Sequence, residues 1–293
     1  MPLLLYRHSE VVSSGNAEAP EEGTGFAVPG GVESIFEYNG LVMNRRDWWD
    51  TFIITDIDGL DDADVRDVRE NRPNDHGEVA MNSYYGGRSI VISGRIRAFS
   101  LKKMRDLTQS LRGAFGDLGT HDLIIRSGNP LTDVHIPCRK SQKLVIKEAQ
   151  NNYKFERDFQ ITLRAPSPFI LSTVESFLGN AINTPTSVMI NRGNYQANTR
   201  IKIFGPVTDP AIVNYANGKT MMLTVHIPAG EVWEVDSAKG TVRDLTNGTN
   251  AYQFVNIASE WVTTEIGENN FIVIGSGTGA GSRYEAYWHD TWI

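Results

Sequence analysis

From Ser89 to Ala98 the chain alternates with a period of two. Ile90, Ile92, Gly94, Ile96 and Ala98 fall on one face. Ser89, Ser93, Arg95 and Arg97 fall on the other, with Val91 the exception. That period belongs to a strand with one buried face, because successive side chains of an extended chain point to opposite sides. "YKFERDFQITLRAPSP" repeats the pattern: Phe155, Phe159, Ile161 and Leu163 share a face with Arg157, and Pro166 and Pro168 end the strand. "HDLIIR", "TDVHIPC" and "KLVIKEA" read as further strands. Beyond about Phe169 the chain is short strands and turn signals, Asn217-Gly218, Lys239-Gly240, Asn247-Gly248 and Asn269-Asn270 among them. Asn39-Gly40 is another turn signal, lying between two short apolar stretches. Gly86-Gly87 is expected to turn a hairpin between "EVAMNSYY" and the Ser89–Ala98 strand.

One segment has helical period. Leu101, Met104, Leu107, Leu111 and Ala114 or Phe115 recur every three to four residues, with Ser100 placed to cap the start and Gly116 to end it. Lys102 and Lys103 in its first turn oppose the helix dipole, and a solvated face is their plainest reading. The expected class is therefore mainly β with one helix. Residues 1–31 read as an N-terminal arm, 32–168 as a first domain and 169–293 as a β-sandwich. "DDADVRDVRENRPNDHG" reads as a long solvated loop.

Composition narrows the functional classes. The formal charge is −7, where a nucleic-acid binder shows a basic field, so nucleic-acid binding is not expected. No apolar run is long enough for a membrane span, and the start lacks the features of a signal peptide. One cysteine, Cys138, forbids an internal disulfide and a cysteine metal framework. His135, three positions away in an extended segment, lies on the opposite face.

Each motif with a chemical reading fails on spacing. Counting from Asp56 in "DIDGLDDAD", an EF-hand loop would need an acid or Asn fifth and Gly sixth, and Leu60 and Asp61 stand there. In "GSGTGAGS" the third glycine of a dinucleotide fingerprint falls on Ala280. The glycines of "SYYGGRSIV" precede a strand, whereas a phosphate loop opens a helix. G-x-S-x-G is absent, and the six histidines are scattered. His76 is assigned to a turn. Neither a cofactor nor a catalytic or metal-binding residue is expected. Trp233, Trp261, Trp288 and Trp292 offer a sugar-stacking platform as the alternative to core and interface packing.

The ordered set "IFEYNGL", "FIITDIDGLDDADVRDVR", "HGEVAMNSYYGGRSIVISGRIRA", "LRGAF" and "FERDFQITLRAPSPF" resembles the N-terminal half of siphovirus-type bacteriophage distal tail proteins. "NRGNYQANTRIKIFGPVTDPAIVNYANG", "PAGEVWEVDSAKGTV" and "EIGENNFIVIG" resemble the second half of that family. The resemblance covers roughly residues 32–293. It implies a β-barrel-like, ring-forming domain with one helix and a galectin-like β-sandwich. It implies a non-enzymatic hexamer at the virion tail tip, assembled in the host cytoplasm. That ring would join the tail tube protein to the baseplate hub or tail-associated protein, with the tape measure and receptor-binding proteins as further neighbours. An acidic ring wall would repel DNA and let it slide. On this reading Arg95 and Arg97 are candidate inter-subunit contacts. The alternative is a carbohydrate-binding module that stacks host cell-wall sugar on Trp233 or Trp261.

Overall fold

The computed structural model describes residues 34–45, 49–72, 74, 76–80, 82–128, 132–148, 155–185 and 187–293. The N-terminal arm assigned to residues 1–31 lies outside them. The described chain is mainly antiparallel β with one α-helix, Leu101–Ala114, and one short 3-10 turn, Tyr252–Phe254.

The strand Arg88–Arg97 organises the first half. Ile90, Ile92, Ile96 and Ala98 are fully buried, as the alternation predicts. On one side the strand pairs along its whole length with Glu156–Ala165, and on the other with Thr51–Asp58. Gly94 interrupts the apolar face for a steric reason. A Cβ there would stand 2.5 Å from the Phe159 ring and 2.6 Å from the Ile53 carbonyl oxygen. The register with Thr51–Asp58 slips at the same level, between Ile54 and Asp56, a bulge that bends the sheet.

From this pair the sheet runs through Val134–Lys140 and His121–Arg126 to the hairpin Ile35–Tyr38 and Leu41–Met43. Asn39 and Gly40 turn that hairpin with φ of 46° and 77°, the primed turn that Asn-Gly favours. The sheet then curls back on itself through Asn44. The Asn44 N–H donates to Phe52 O at 2.7 Å, and its Oδ1 accepts from Ile54 N at 2.7 Å. A barrel-like wall results, filled by one cluster that includes Phe36, Tyr38, Ile92, Leu111, Phe115, Ile161 and Trp292.

The helix packs Met104, Leu111 and Ala114 inward, and the Ser100 side chain accepts from Lys103 N at 3.2 Å. Leu101 departs from the expected apolar stripe and is 52% exposed. Phe155 departs likewise, at 39% exposure, although its carbonyl accepts from Ala98 N at 3.0 Å.

The acidic stretch expected as a solvated loop forms a ribbon instead. Val65–Arg66 pairs with Tyr84–Tyr85, and Arg69–Asn71 pairs with Glu78–Ala80. The Gly86-Gly87 hairpin expectation is thereby corrected. "EVAMNSYY" pairs back on residues 65–71, and the Gly86 N–H donates to Asp64 O at 2.5 Å. The glycines lie at the root of the ribbon.

In the second half, two sheets enclose a second cluster. One contains Ser176–Ala181, Arg283–Trp288, Ala197–Phe204, Val232–Asp236 and Thr241–Asp244; the other contains Ser187–Asn191, Gly267–Ser276 and Val207–Asn214. Ile201, Val235 and Ala286 from the first meet Ile212, Phe271 and Val273 from the second. "TVESFLG" is strand from Ser176. Turns form at Asn217-Gly218, Lys239-Gly240 and Asn247-Gly248, where Gly218, Gly240 and Gly248 have positive φ.

Asn269-Asn270 is not a turn: both lie inside Gly267–Ser276. The fully buried Asn269 amide uses its full bonding capacity. It donates to Glu265 O and Gly267 O, and accepts from Glu265 N and from the Asn214 side chain at 2.9 Å. The two halves are joined by strand pairing: Ile170–Ser172 bonds to Val134–His135 on one side and to Thr291–Trp292 on the other.

Candidate functional site

Arg95 and Arg97 project from the outer face of their strand, as expected, and the opposite strand supplies their acids. Arg95 donates to Asp158 at 2.8 Å and to Glu156 at 3.4 Å, and Arg97 donates to Glu156 at 2.9 Å. The antiparallel register sets these pairs, since Arg97 lies opposite Glu156 and Arg95 opposite Asp158. The bond to Asp158 holds the Arg95 guanidinium above its ordinary range. The acids anticipated from a neighbouring subunit are thus already present within the chain. Arg97 also lies over the Trp49 ring at 5.7 Å, and Trp49 leans on Phe99 at 4.9 Å. Both rings are largely open to solvent.

The acidic loop after Asp58 is built around a cation supplied by the chain itself. Arg88 is 1% exposed. Its Nη1 donates to the carbonyls of Gly59, Leu60 and Asp62 at 3.0, 2.6 and 3.1 Å, and its Nε donates to Pro168 O at 3.2 Å. Burial pulls the guanidinium pKa down, and the nearby Asp62, Asp61 and Asp64 act against that pull. Gly59 has φ of +88°, and a side chain there would collide with the Ser89 carbonyl, so the loop can close over Arg88 only with glycine at this position. The carbonyl oxygens of Gly59, Leu60 and Asp62 are all turned toward Arg88. No group of three or more His, Cys, Asp or Glu converges as a metal site among the described residues. Arg88 was missed as a site residue, yet its signal was present. It lies two positions before Ile90, on the buried parity of the strand.

The aromatic candidates separate by burial. Trp233 is 5% exposed and packs on Phe254 at 5.4 Å inside the second cluster. It has no open face for a sugar, which corrects its candidacy: the strand alternation that buries Val235 buries Trp233 with it. Trp288 and Trp292 are also buried. Trp261 is half-buried beside the exposed Tyr252, with ring centroids 6.3 Å apart.

Cys138 points into the barrel, and burial pushes its thiol up to about 12. It is protonated at neutral pH and unsuited to nucleophilic chemistry. His135, on the opposite face as expected, meets His289 edge-on at 5.6 Å. His289 Nδ1 lies 2.8 Å from Ser172 O, a carbonyl that also bonds His135. Sequence spacing gave no hint of this pair, which joins residues 154 positions apart. His76 lies in the bend between the ribbon strands Arg69–Asn71 and Glu78–Ala80.

A cavity of about 240 Å³ opens beside His289 where the two halves join. Its charged groups are matched in pairs. Glu175 accepts twice from Arg200, at 2.7 and 2.8 Å, and Asp236 accepts from Lys239 at 2.6 Å. Arg200 also covers the Tyr287 ring at 4.5 Å. The arrangement suits a polar seam between two sheets and lacks an activated nucleophile beside a base.

Two outcomes follow from Arg88 and His135. Arg88→Met removes the donors that four carbonyls share, and the loss is expected to be about 3 kcal/mol. Arg88→Lys is expected to recover less than half of it, since an ammonium lacks the planar fork. Urea unfolding followed by circular dichroism measures both, and a wild-type midpoint for Arg88→Met contradicts the clamp. His135 has its pKa lowered below 6.5, first by burial and also by the charge of His289, against the opposing pull of Asp122 and the bond to Ser172 O. Its neutral form is therefore favoured on folding. The stability it contributes is present above pH 6.5 and is lost as pH falls through the lower, folded value. His135→Gln is expected to flatten the decline of the unfolding midpoint between about pH 7 and pH 5. Parallel pH profiles for the two proteins contradict that assignment.

Residues 192–292 match the family described as "Siphovirus-type tail component, C-terminal domain". No curated protein matches the chain. Among solved structures, the chain is similar to the crystal structure of the SPP1 Dit (gp 19.1) protein, described as a paradigm of hub adsorption apparatus in phages that infect Gram-positive bacteria. The TM-score is 0.66 at 12% identity, over 89% of this chain and 99% of that one. The phage P2 baseplate in its activated conformation with Ca gives a TM-score of 0.44 at 8% identity, over 87% of this chain and 97% of that one. Residues 192–292 thus match a siphovirus-type tail component domain, and the fold over 89% of the chain is similar to that of SPP1 Dit.

Proposed function

We propose that the chain is a structural, non-catalytic tail-tip protein. Six copies close into a ring that joins the tail tube to the baseplate hub. Residues 32–168 form the ring, and residues 169–293 form a galectin-like β-sandwich. The observation that carries this reading is the agreement of two findings. Residues 192–292 match a tail component domain, and 89% of the chain follows the SPP1 Dit fold. The chemistry of the described residues agrees with it. Arg95, Arg97, Arg200 and Lys239 are paired with acids of the same chain, while large apolar side chains such as Phe99, Leu101 and Leu118 stand 68%, 52% and 72% exposed. Open apolar side chains of this kind mark association surfaces when they gather into a patch.

The sugar-binding alternative keeps one physical support, the accessible pairing of Tyr252 with Trp261. Calorimetry with purified cell-wall polysaccharide tests it: saturable binding lost in Trp261→Ala would favour that role. The primary reading is tested by immunogold electron microscopy of phage particles that carry the chain. Gold is expected at the tail end distal to the head. Label on the head, or spread along the tail, contradicts a tail-tip position.

A further inference from the structure

The strand pairing that joins the two halves runs past one residue, Ser172. Ile170–Ser172 pairs with Val134–His135 of the first half and with Thr291–Trp292 of the second. The Ser172 N–H donates to Asp290 O at 2.9 Å, and its hydroxyl accepts from Asp290 N at 3.0 Å. Its carbonyl receives a ring nitrogen from each half: His135 from the first and His289, at 2.8 Å, from the second. The two rings meet edge-on with centroids 5.6 Å apart, and both are half-buried.

A carbonyl oxygen only accepts, so each ring carries its proton on the nitrogen that faces Ser172, and both fill this role while neutral. A second proton on either ring adds charge without adding a bond to Ser172. Charging both sets two cations 5.6 Å apart in a half-buried seam, and sites this close take up protons as a pair. The surrounding charges give little relief. On His121–Arg126, Asp122 favours a charged His135, while Arg126 is held by Glu37 at 2.9 Å and by Asp133 at 3.7 Å. Ile170–Ser172 carries no charge. Glu175 beyond it is bound to Arg200, Asp236 across the cavity is bound to Lys239, and the Tyr287 hydroxyl donates to Glu285, itself beside Arg283. Next to His289, Asp290 is paired with Arg192 at 3.6 Å. Among the described residues around the pair, Asp122 is thus the one carboxylate without an arginine or lysine partner.

We propose that the His135–His289 pair is an acid-sensitive latch on the joint between the two halves: as pH falls below neutrality, His289–Trp292 parts from Ile170–Ser172 more often, while each half stays folded. Burial first, and then the charge of His289, lower the His135 pKa from 6.5 in the closed joint, and opening returns it toward that value. The opened joint therefore binds more protons. The latch is fully effective above pH 6.5 and weakens as pH falls toward the lower, closed-state value. The shared attachment at Ser172 O places this loss at the joint, where the pH dependence of His135 alone concerns the stability of the whole fold. Release takes Trp292 out of the first cluster and frees the second half to move against the first. The latch does not depend on ring formation.

Hydrogen exchange of the full chain, read by mass spectrometry and corrected for the intrinsic effect of pH, tests it. Protection of segments 170–173 and 288–292 is expected to fall about tenfold between pH 7.5 and pH 5.5, the effect of one extra proton over about one pH unit, with the strand Arg88–Arg97 unchanged. In the His135→Gln/His289→Gln chain the side-chain amides still donate to Ser172 O and take up no proton, so the fall is expected to vanish. Asp122→Asn keeps both rings and removes the one relieving charge, and is expected to deepen the fall. It decides the matter if circular dichroism shows the double glutamine chain unfolded. Equal protection at the two pH values in the wild-type chain overturns the latch. So does a fall that persists in the folded double glutamine chain, a fall that Asp122→Asn leaves unchanged, or a fall shared equally by Arg88–Arg97, which is global unfolding.

Discussion

The first half of this protein depends on one strand, Arg88–Arg97, whose alternation is enforced from both sides. Its inner face is buried against the barrel cluster, and its backbone is paired on both edges. A slip of one residue would bring Ser89, Ser93, Arg95 and Arg97 into the core, so the register is tightly specified. The surrounding features follow from that register. It sets Arg95 and Arg97 opposite Asp158 and Glu156, it places Gly94 under Phe159, and it points Arg88 into the loop that Gly59 lets close. Because Arg88 also reaches Pro168 O, the strand, the root of the acidic ribbon and the passage into the second half are tied at one point.

Much of this was legible because its causes are local. The strand faces, the Asn39-Gly40 turn and the Ser100 cap each express a rule that operates within a few residues. The misreadings share a different cause. Gly86-Gly87 looks like a hairpin turn, but the strand before it pairs with residues 65–71, and nothing near the glycines encodes that choice. Asn269-Asn270 looks like a turn, but Asn269 is satisfied by Asn214, 55 positions away. Trp233 was open as a platform in sequence and is closed by Phe254 in space. Leu101 and Phe155 fit apolar stripes and are exposed nonetheless. Pattern alone cannot separate an apolar position that faces a core from one left open at the surface.

The candidate sites share one property. Arg95, Arg97, Arg88, Arg200 and Lys239 all find their acids or carbonyls inside the chain. Matched charges of this kind fix geometry and supply little reactivity, and the cysteine that might have supplied it is buried and protonated. Residues 192–292, which match a siphovirus-type tail component domain, contribute Arg200 and Lys239 to those matched charges. Among the described residues, large apolar side chains such as Phe99, Leu101 and Leu118 stand open at the surface.

The mass of the purified chain in solution, measured by light scattering across a range of concentrations, tests the central claim most directly. A closed ring predicts a plateau at six times the 32.6 kDa of one chain. A mass that stays at 32.6 kDa up to the highest soluble concentration contradicts it.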